Sequence, residues 1–314
     1  MIPMSNVMTV FSGRLVKGNN TTMRLNLFKR CYQKIYIFIM RAKSYIESRL
    51  IRLRVSKISF SDVIQGKVVI LMPHSDDEWI GCSRIIVGQN EKVMIANMDM
   101  MGGDAANIHH MRRQEMLSVA NRYNSDVVLI SGKKSDKIEE LSVLIKGIKP
   151  DYVCVPFYYD WHSEHLETRE ILYEALKLLR SGSDLQSCNR LSVIEYQVSV
   201  PIPARYITHC MKMTREDQSV KWELFHMTYK TQAFFPMWRF KDNEYISGKL
   251  CGAYACENFV CSTADLWMSS FANNIISEQQ RIKIMKHFRD IAKIRATIDA
   301  FDRKKFHFSK YNLK

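Results

Sequence analysis

Two short stretches concentrate side chains that can bind a metal and move protons. Pro73-His74-Ser75-Asp76-Asp77-Glu78 ends the apolar run KVVILMP (67–73), and Tyr158-Tyr159-Asp160-Trp161-His162-Ser163-Glu164-His165 follows the run YVCVPF (152–157). A hydrolytic zinc site needs three nitrogen or oxygen ligands and one position open to water. His74 and Asp77 can reach one point from a tight loop, and His165 can supply a third ligand from the other stretch. Asp76 is then left as an unligated carboxylate beside the metal, placed to take a proton from water. A helix expected from near Ser163 puts His162 at its mouth, where it can donate to a developing oxyanion or protonate a leaving amine. Each stretch taken singly also has an ordinary structural reading. A histidine at a strand end often makes only a hydrogen bond, and Asp-Asp-Glu before a helix complements the helix dipole.

The surrounding elements strengthen the chemical reading. Apolar runs at 67–73, 92–98, 126–130, 152–157 and 192–198 predict strands, and helical stretches are expected at 78–88, 106–123, 136–147 and 164–180. Strands alternating with helices of this length predict an α/β fold with a mostly parallel central sheet and helices on both faces, a three-layer sandwich. Ligands in such sheets bind at the carboxyl ends of the strands. Both stretches lie at those ends.

Charge divides the chain into three. Residues 1–60 hold twelve Lys/Arg and one acid (Glu47), residues 281–314 hold eleven Lys/Arg and three acids, and the middle is mildly acidic although the whole carries +14. Basic ends around an acidic centre argue against a nucleic-acid binder and allow contact with an anionic surface. The expected organisation is a basic N-terminal extension over 1–60, a catalytic domain over 61–270 and a basic helical C-terminal extension over 271–314. Residues 1–30 read as a poorly ordered leader. Over 32–54, Tyr32, Ile35, Ile39, Ile46, Leu50 and Leu53 recur at helical spacing among Lys and Arg, which suits either packing on the domain or an anionic membrane interface. Residues 282–301 predict one further helix, with Ile284, Phe288, Ile291, Ile294 and Ile298 on a core-facing stripe. The apolar stretch IYIFIM (35–40) is too short to span a bilayer, and without a signal peptide a cytoplasmic location is expected. None of the eight cysteines makes a C-x-x-C pair, and Cys251, Cys256 and Cys261 fit no common zinc spacing, so buried free thiols are expected.

PHSDDE followed by HSEH resembles the two metal motifs of the PIG-L/LmbE-like deacetylases, which usually read AHPDDE and H-P-D-H. MRRQEMLSVANRYNSD (111–126) is similar to the family's R-x-x-E helix, YKTQ (229–232) to its H-x-S-Q segment and CENF (256–259) to its late E-x-F segment. The resemblance spans roughly residues 66–260. It implies a Rossmann-like zinc enzyme that removes the acetyl group from an N-acetylated sugar on a nucleotide, lipid or glycan, releasing acetate and a free amine. It implies that His74, Asp77 and His165 bind the zinc, for which iron can substitute. Asp76 would be the general base, His162 would stabilise the oxyanion or assist the leaving group, and Arg112, with Arg113 as the adjacent alternative, would hold substrate. Glu115 is expected to support its helix. Ser75 stands where the family has Pro, Glu164 where it has Asp, and Met101-Gly102-Gly103-Asp104 where it has a substrate-shaping T-x-G-E loop. A hydrolase of another N-acyl amide, or a glycan- or membrane-binding module without catalysis, is the alternative.

Overall fold

The computed structural model describes residues 20–50, 64–88, 91–100, 106–181, 190–232, 236–288 and 290–311, with side chains at the two ends described only from Lys34 to Phe301. The chain divides into two compact units, residues 1–43 and 44–314. Helix α1 (Asn20–Leu50) takes in the last eleven residues of the stretch expected as leader. The reason is local: from residue 19 to 65 there is no Gly or Pro, so no breaker interrupts a segment in which Leu, Met, Arg and Lys, good helix formers, recur. Residues 51–54 of the expected amphipathic stretch, and residues 1–19, lie outside the described residues.

The second unit is built on a seven-stranded sheet. Its strands are β1 (Val68–Met72), β2 (Met94–Asn97), β3 (Asp126–Leu129), β4 (Tyr152–Pro156), β5 (Ser192–Tyr196), β6 (His209–Met213) and β7 (Ala255–Thr263), in the order β3-β2-β1-β4-β5-β7-β6. The first five strands are parallel, while β7 runs antiparallel to both β5 and β6. All five residues of β1 are buried, as a central parallel strand covered on both faces requires. Its alternate side chains enter two cores. Val68, Ile70 and Met72 pack with α2 (Asp77–Gly88), α3 (Ala106–Arg122) and α6 (Arg215–Thr228), while Val69 and Leu71 pack with α4 (Lys134–Ile148), α5 (Ser163–Ser181) and α8 (Ala264–Phe271). The three-layer sandwich expected from the sequence is therefore present.

The order of strands fixes where a ligand can bind. From β1 the chain winds outward to β2 and β3, then returns to β4 on the other side of β1. The direction reverses between β1 and β4, and the diverging loops leave a crevice at their carboxyl ends. Ile70 stands opposite Cys154, so the two strands end level, and the two chemistry-bearing loops leave the sheet side by side.

Strands β6 and β7 go beyond the five that the sequence pattern predicts. The helix expected over 282–301 is two: α9 (Glu278–Met285) and α10 (Ile291–Tyr311). Asp290 makes the break, since its Oδ1 accepts from the amide of Lys293 at 3.1 Å as an N-cap. Ile284, Ile291, Ile294 and Ile298 are nevertheless buried, as the stripe predicts. Within the second unit, the last turns of α1 pack through small polar residues. Ser44 and Ser48 donate to Asp242 of α7 (Met237–Cys251), and Lys249 Nζ caps the carbonyls of Ser48 and Arg49 at 2.8 and 2.9 Å. Ile46 and Leu50 are 54% and 72% exposed, so these two members of the apolar stripe point away from this core. Among the described residues no helix is long and apolar enough to cross a membrane.

Candidate active site

The β1–α2 loop is a tight turn closed on itself. The carbonyl of His74 accepts from the amides of Asp76 and Asp77 at 2.9 and 3.2 Å, and Oδ2 of Asp77 accepts from the amide of His74 at 2.9 Å. Ser75 is held by Asn97 of β2, whose Nδ2 donates to its hydroxyl at 3.3 Å. The β4–α5 loop is closed by Asp160, whose Oδ1 accepts from the amide of His162 at 2.9 Å. One turn beyond His165, Arg169 donates to the carbonyl of Pro156 at 2.9 Å and pairs with buried Glu195. That anchors α5 to the ends of β4 and β5 and fixes the direction in which His165 points.

The two loops converge. His74 Nδ1, His165 Nε2 and Asp77 Oδ2 form a triangle with edges of 3.1, 3.3 and 3.3 Å. The ligand atoms of a tetrahedral zinc, with bonds of about 2.0–2.1 Å, stand about 3.3 Å apart. The triangle therefore has the spacing of three corners of such a site. The outer nitrogens are held as metal ligands usually are: Nδ1 of His165 lies 2.9 Å from Asp160 Oδ2, and Nε2 of His74 lies 2.5 Å from Glu164 Oε2. His162 joins the group, with ring nitrogens of His74, His162 and His165 within 4.8 Å of one another. It forms the open side: its side chain is 27% exposed, against 8% for His74 and 1% for His165.

Electrostatics make this a place for a cation. Burial alone would lower the pKa of His165, but the carboxylates of Asp160 and Asp77 hold it well above the ordinary range. Burial would raise Asp77, yet the charge and hydrogen bonds of His165, followed by those of His74, hold it well below. Asp76 differs from its neighbour. Burial pushes it up to about 6, opposed mainly by Arg112, whose guanidinium lies 3.2 Å from Asp76 Oδ2. His162 is pushed down to about 4 by burial and by the charges of His165 and His74.

The structure separates Arg112 from Arg113. Arg113 turns to Asp99, at 2.5 Å, and only Arg112 faces the loop. Glu115 fastens the 229–232 segment: its carboxylate accepts from the amide of Thr231 at 2.9 Å and from its hydroxyl at 2.5 Å. Asp160 is a member of the site that the sequence pattern does not single out. Its signal is an aspartate five residues before His165, on the strand side of the same loop. Glu164 Oε2 reaches His74 Nε2 at 2.5 Å and lies 3.8 Å from His162 Nδ1.

No family model matches the chain, and no curated protein matches it. Solved structures do. The N,N'-diacetylchitobiose deacetylase from Pyrococcus horikoshii superposes with a TM-score of 0.53 at 15% identity, covering 64% of this chain and 85% of that one. The conserved protein TT1542 from Thermus thermophilus does so with a TM-score of 0.51 at 17% identity, covering 62% and 94%. This chain shares the α/β fold of these two proteins. Within that fold the weaker resembling segments have structural work. Tyr229, at the start of the YKTQ segment, donates its hydroxyl to buried Glu78, the last residue of PHSDDE. Burial pushes Glu78 up to about 8, with the Tyr229 hydrogen bond opposing. Residues 101–104, expected to shape substrate contacts, lie outside the described residues.

Proposed function

We propose that the protein is a metal-dependent N-deacetylase acting on an N-acetylated sugar, with the metal held by His74 Nδ1, Asp77 Oδ2 and His165 Nε2. One observation carries this reading. Asp76 lies buried beside the ligand triangle without being part of it, 3.2 Å from Arg112, a carboxylate that metal binding does not require and general-base catalysis does. A divalent ion held by this triangle, zinc or iron, would supply Lewis acidity toward the amide carbonyl and toward water.

The chain's own groups account for the proton movements. Asp76 accepts a proton from the attacking water as its oxygen bonds to the amide carbon. His162, neutral at pH 7, presents an N–H to the carbonyl oxygen as that oxygen gains negative charge. The C–N bond then breaks, with the proton on Asp76 passing to the departing nitrogen, and acetate and a free amine result. Asp160 and Glu164 hold the rings of His165 and His74 in register. Arg112 keeps Asp76 ionised. Replacing Arg112 with Met removes the nearby cation, so Asp76 protonates at higher pH and the acidic limb of kcat/KM moves up by about one pH unit. A pH–rate profile checks this; an unmoved limb would separate Arg112 from the base.

Trp161, packed between His162 and Phe288 with ring centroids 5.2 and 6.5 Å away, stands at the rim where a sugar ring would enter. The exposed Ile46 and Leu50, together with the basic termini, suit a substrate carried at an anionic membrane, and the same charge suits an anionic sugar nucleotide. The test is acetate release from N-acetylhexosamines offered free, on nucleotides and on lipid carriers in anionic vesicles. Release is expected to be abolished by a chelator, restored by zinc or iron, and fastest on the vesicles. Release of longer acyl groups in place of acetate would favour the broader amide-hydrolase alternative. No release from any of them would sink the enzymatic reading.

A further inference from the structure

We propose a second metal site, built from the thiols of Cys210, Cys251 and Cys256 and suited to a thiophilic ion of the zinc type. The three residues come from β6, the last turn of α7 and the start of β7, and their Sγ atoms lie within 4.8 Å of one another. Sulfur ligands on tetrahedral zinc, with bonds of about 2.3 Å, stand about 3.8 Å apart, which is within side-chain reach of this cluster.

The backbone holds the cluster in place. Cys210 pairs with Asn258 and Lys212 with Cys256 across the antiparallel β6–β7 ladder. Side chains alternate along a strand, so Cys210, Lys212, Cys256 and Asn258 share one face of the sheet. Cys251 arrives from the helix because α7 lies unusually close to β7. At Gly248 a Cβ would stand 2.7 Å from the backbone of Ala253 and Ala255, so only glycine allows the approach. Gly252, at φ +69°, then ends the helix in the left-handed conformation and returns the chain to Cys256.

The surroundings suit thiolate coordination. The amide oxygen of buried Asn258 accepts from the thiols of Cys210 and Cys256 at 3.3 and 3.0 Å. Turning that amide by half a rotation presents its NH2 group, a donor to thiolate sulfur. Three thiolates and a divalent ion carry one net negative charge. Lys212, paired with Cys256 across the ladder, and Arg295 of α10 offer positive charge that would offset it. The core that holds the cluster is apolar: Ile207, Leu250, Ile284, Ile294 and Ile298 belong to the same buried group as Cys210 and Cys256. Cys251 is only half-buried, which leaves an entry path and a position for water or an outside ligand. Soft thiolate ligands select zinc, copper(I) and similar ions over magnesium or calcium. An ion here would clip the antiparallel part of the sheet to α7, beneath α9 and α10. This is independent of the deacetylase reading. The sequence hides it because Cys210 lies far upstream of the other two.

Cobalt(II) titration of the full-length, tag-free, metal-stripped protein under reductant tests it. Thiolate ligands give cobalt an intense near-ultraviolet charge-transfer band that histidine and carboxylate ligands do not. Wild type is expected to bind two equivalents and show the band. His165→Ala should bind one and keep the band, whereas Cys251→Ser should lose the band and one equivalent while retaining the other. Cys251 is partly exposed, so this variant should keep its far-ultraviolet circular dichroism. Cys210→Ser should match it in cobalt spectrum if it folds. A wild type without the band, a band that survives Cys251→Ser, or a disulfide between two of these cysteines in the reduced preparation would each overturn the proposal.

Discussion

Asp76→Asn is expected to lower kcat for acetyl hydrolysis by about 10²–10⁴-fold, the usual contribution of a positioned general base, while bound metal and KM stay close to wild type. The substitution is nearly isosteric and leaves an oxygen for Arg112 to donate to, so the turn around His74 should survive. What disappears is a carboxylate that can hold a proton between its removal from water and its delivery to the amine. Asp77 cannot take over, because its charge is committed to His74 and His165. Steady-state kinetics with metal analysis on the same preparation distinguishes the possibilities. Turnover within a few-fold of wild type would remove Asp76 from the chemistry, and loss of metal would make it a ligand.

Lys221→Met is expected to be the most destabilising single change away from the site. Lys221 Nζ is buried on α6 and donates to Glu244 and Glu257 at 2.6 Å each and to the carbonyl of Ile80 at 2.7 Å. Glu244 also accepts from Trp222 Nε1 and Gln218 Nε2, both at 2.8 Å, and Glu257 accepts from Ser83 at 2.5 Å and from the amide of Arg84 at 2.9 Å. The cluster ties α2, the helix that opens with Asp77, to α6, α7 and β7. Removing the lysine leaves two buried carboxylates without their cation, a defect costing about 3–5 kcal/mol. The loss should depend on pH. Burial already raises the pKa of Glu244, opposed chiefly by Lys221, so without the lysine its folded pKa rises further. A carboxyl raised in the folded state contributes stability below its unfolded pKa and loses it as pH climbs through the folded value. Denaturant melts should therefore show a deficit that is smaller near pH 5 than near pH 8. A variant as stable as wild type at pH 8 would mean that the carboxylates find other partners or water.

The legible parts of this protein are those that write themselves into local sequence. VVILM and YVCVP are continuous apolar runs because both faces of a central strand are covered, and the loops behind them carry histidines and carboxylates at the only edge where a parallel sheet binds ligands. Strand β7 is different. It buries Glu257 and Asn258 in mid-strand, and those residues make sense only with Lys221 and the cysteines, which arrive from distant parts of the chain. No period of two or 3.6 residues announces such a strand. The break at Asp290 is readable as a cap, but the unbroken isoleucine stripe on either side outweighs it. The partners of the histidines cannot be assigned from order alone: Asp160 and Glu164 flank the same loop, and only folding shows that the first faces His165 and the second His74.

Elemental mass spectrometry on wild type and His165→Ala, purified side by side without a metal-binding tag, tests the central claim most directly. Nε2 of His165 closes the ligand triangle from the second loop, so its loss should open the site. His165→Ala is expected to carry about one equivalent of zinc or iron fewer than wild type, whatever the cysteine cluster holds, and to release no acetate. Equal metal in the two proteins, or acetate release undiminished by the substitution, would contradict a metal centre shared between the two loops.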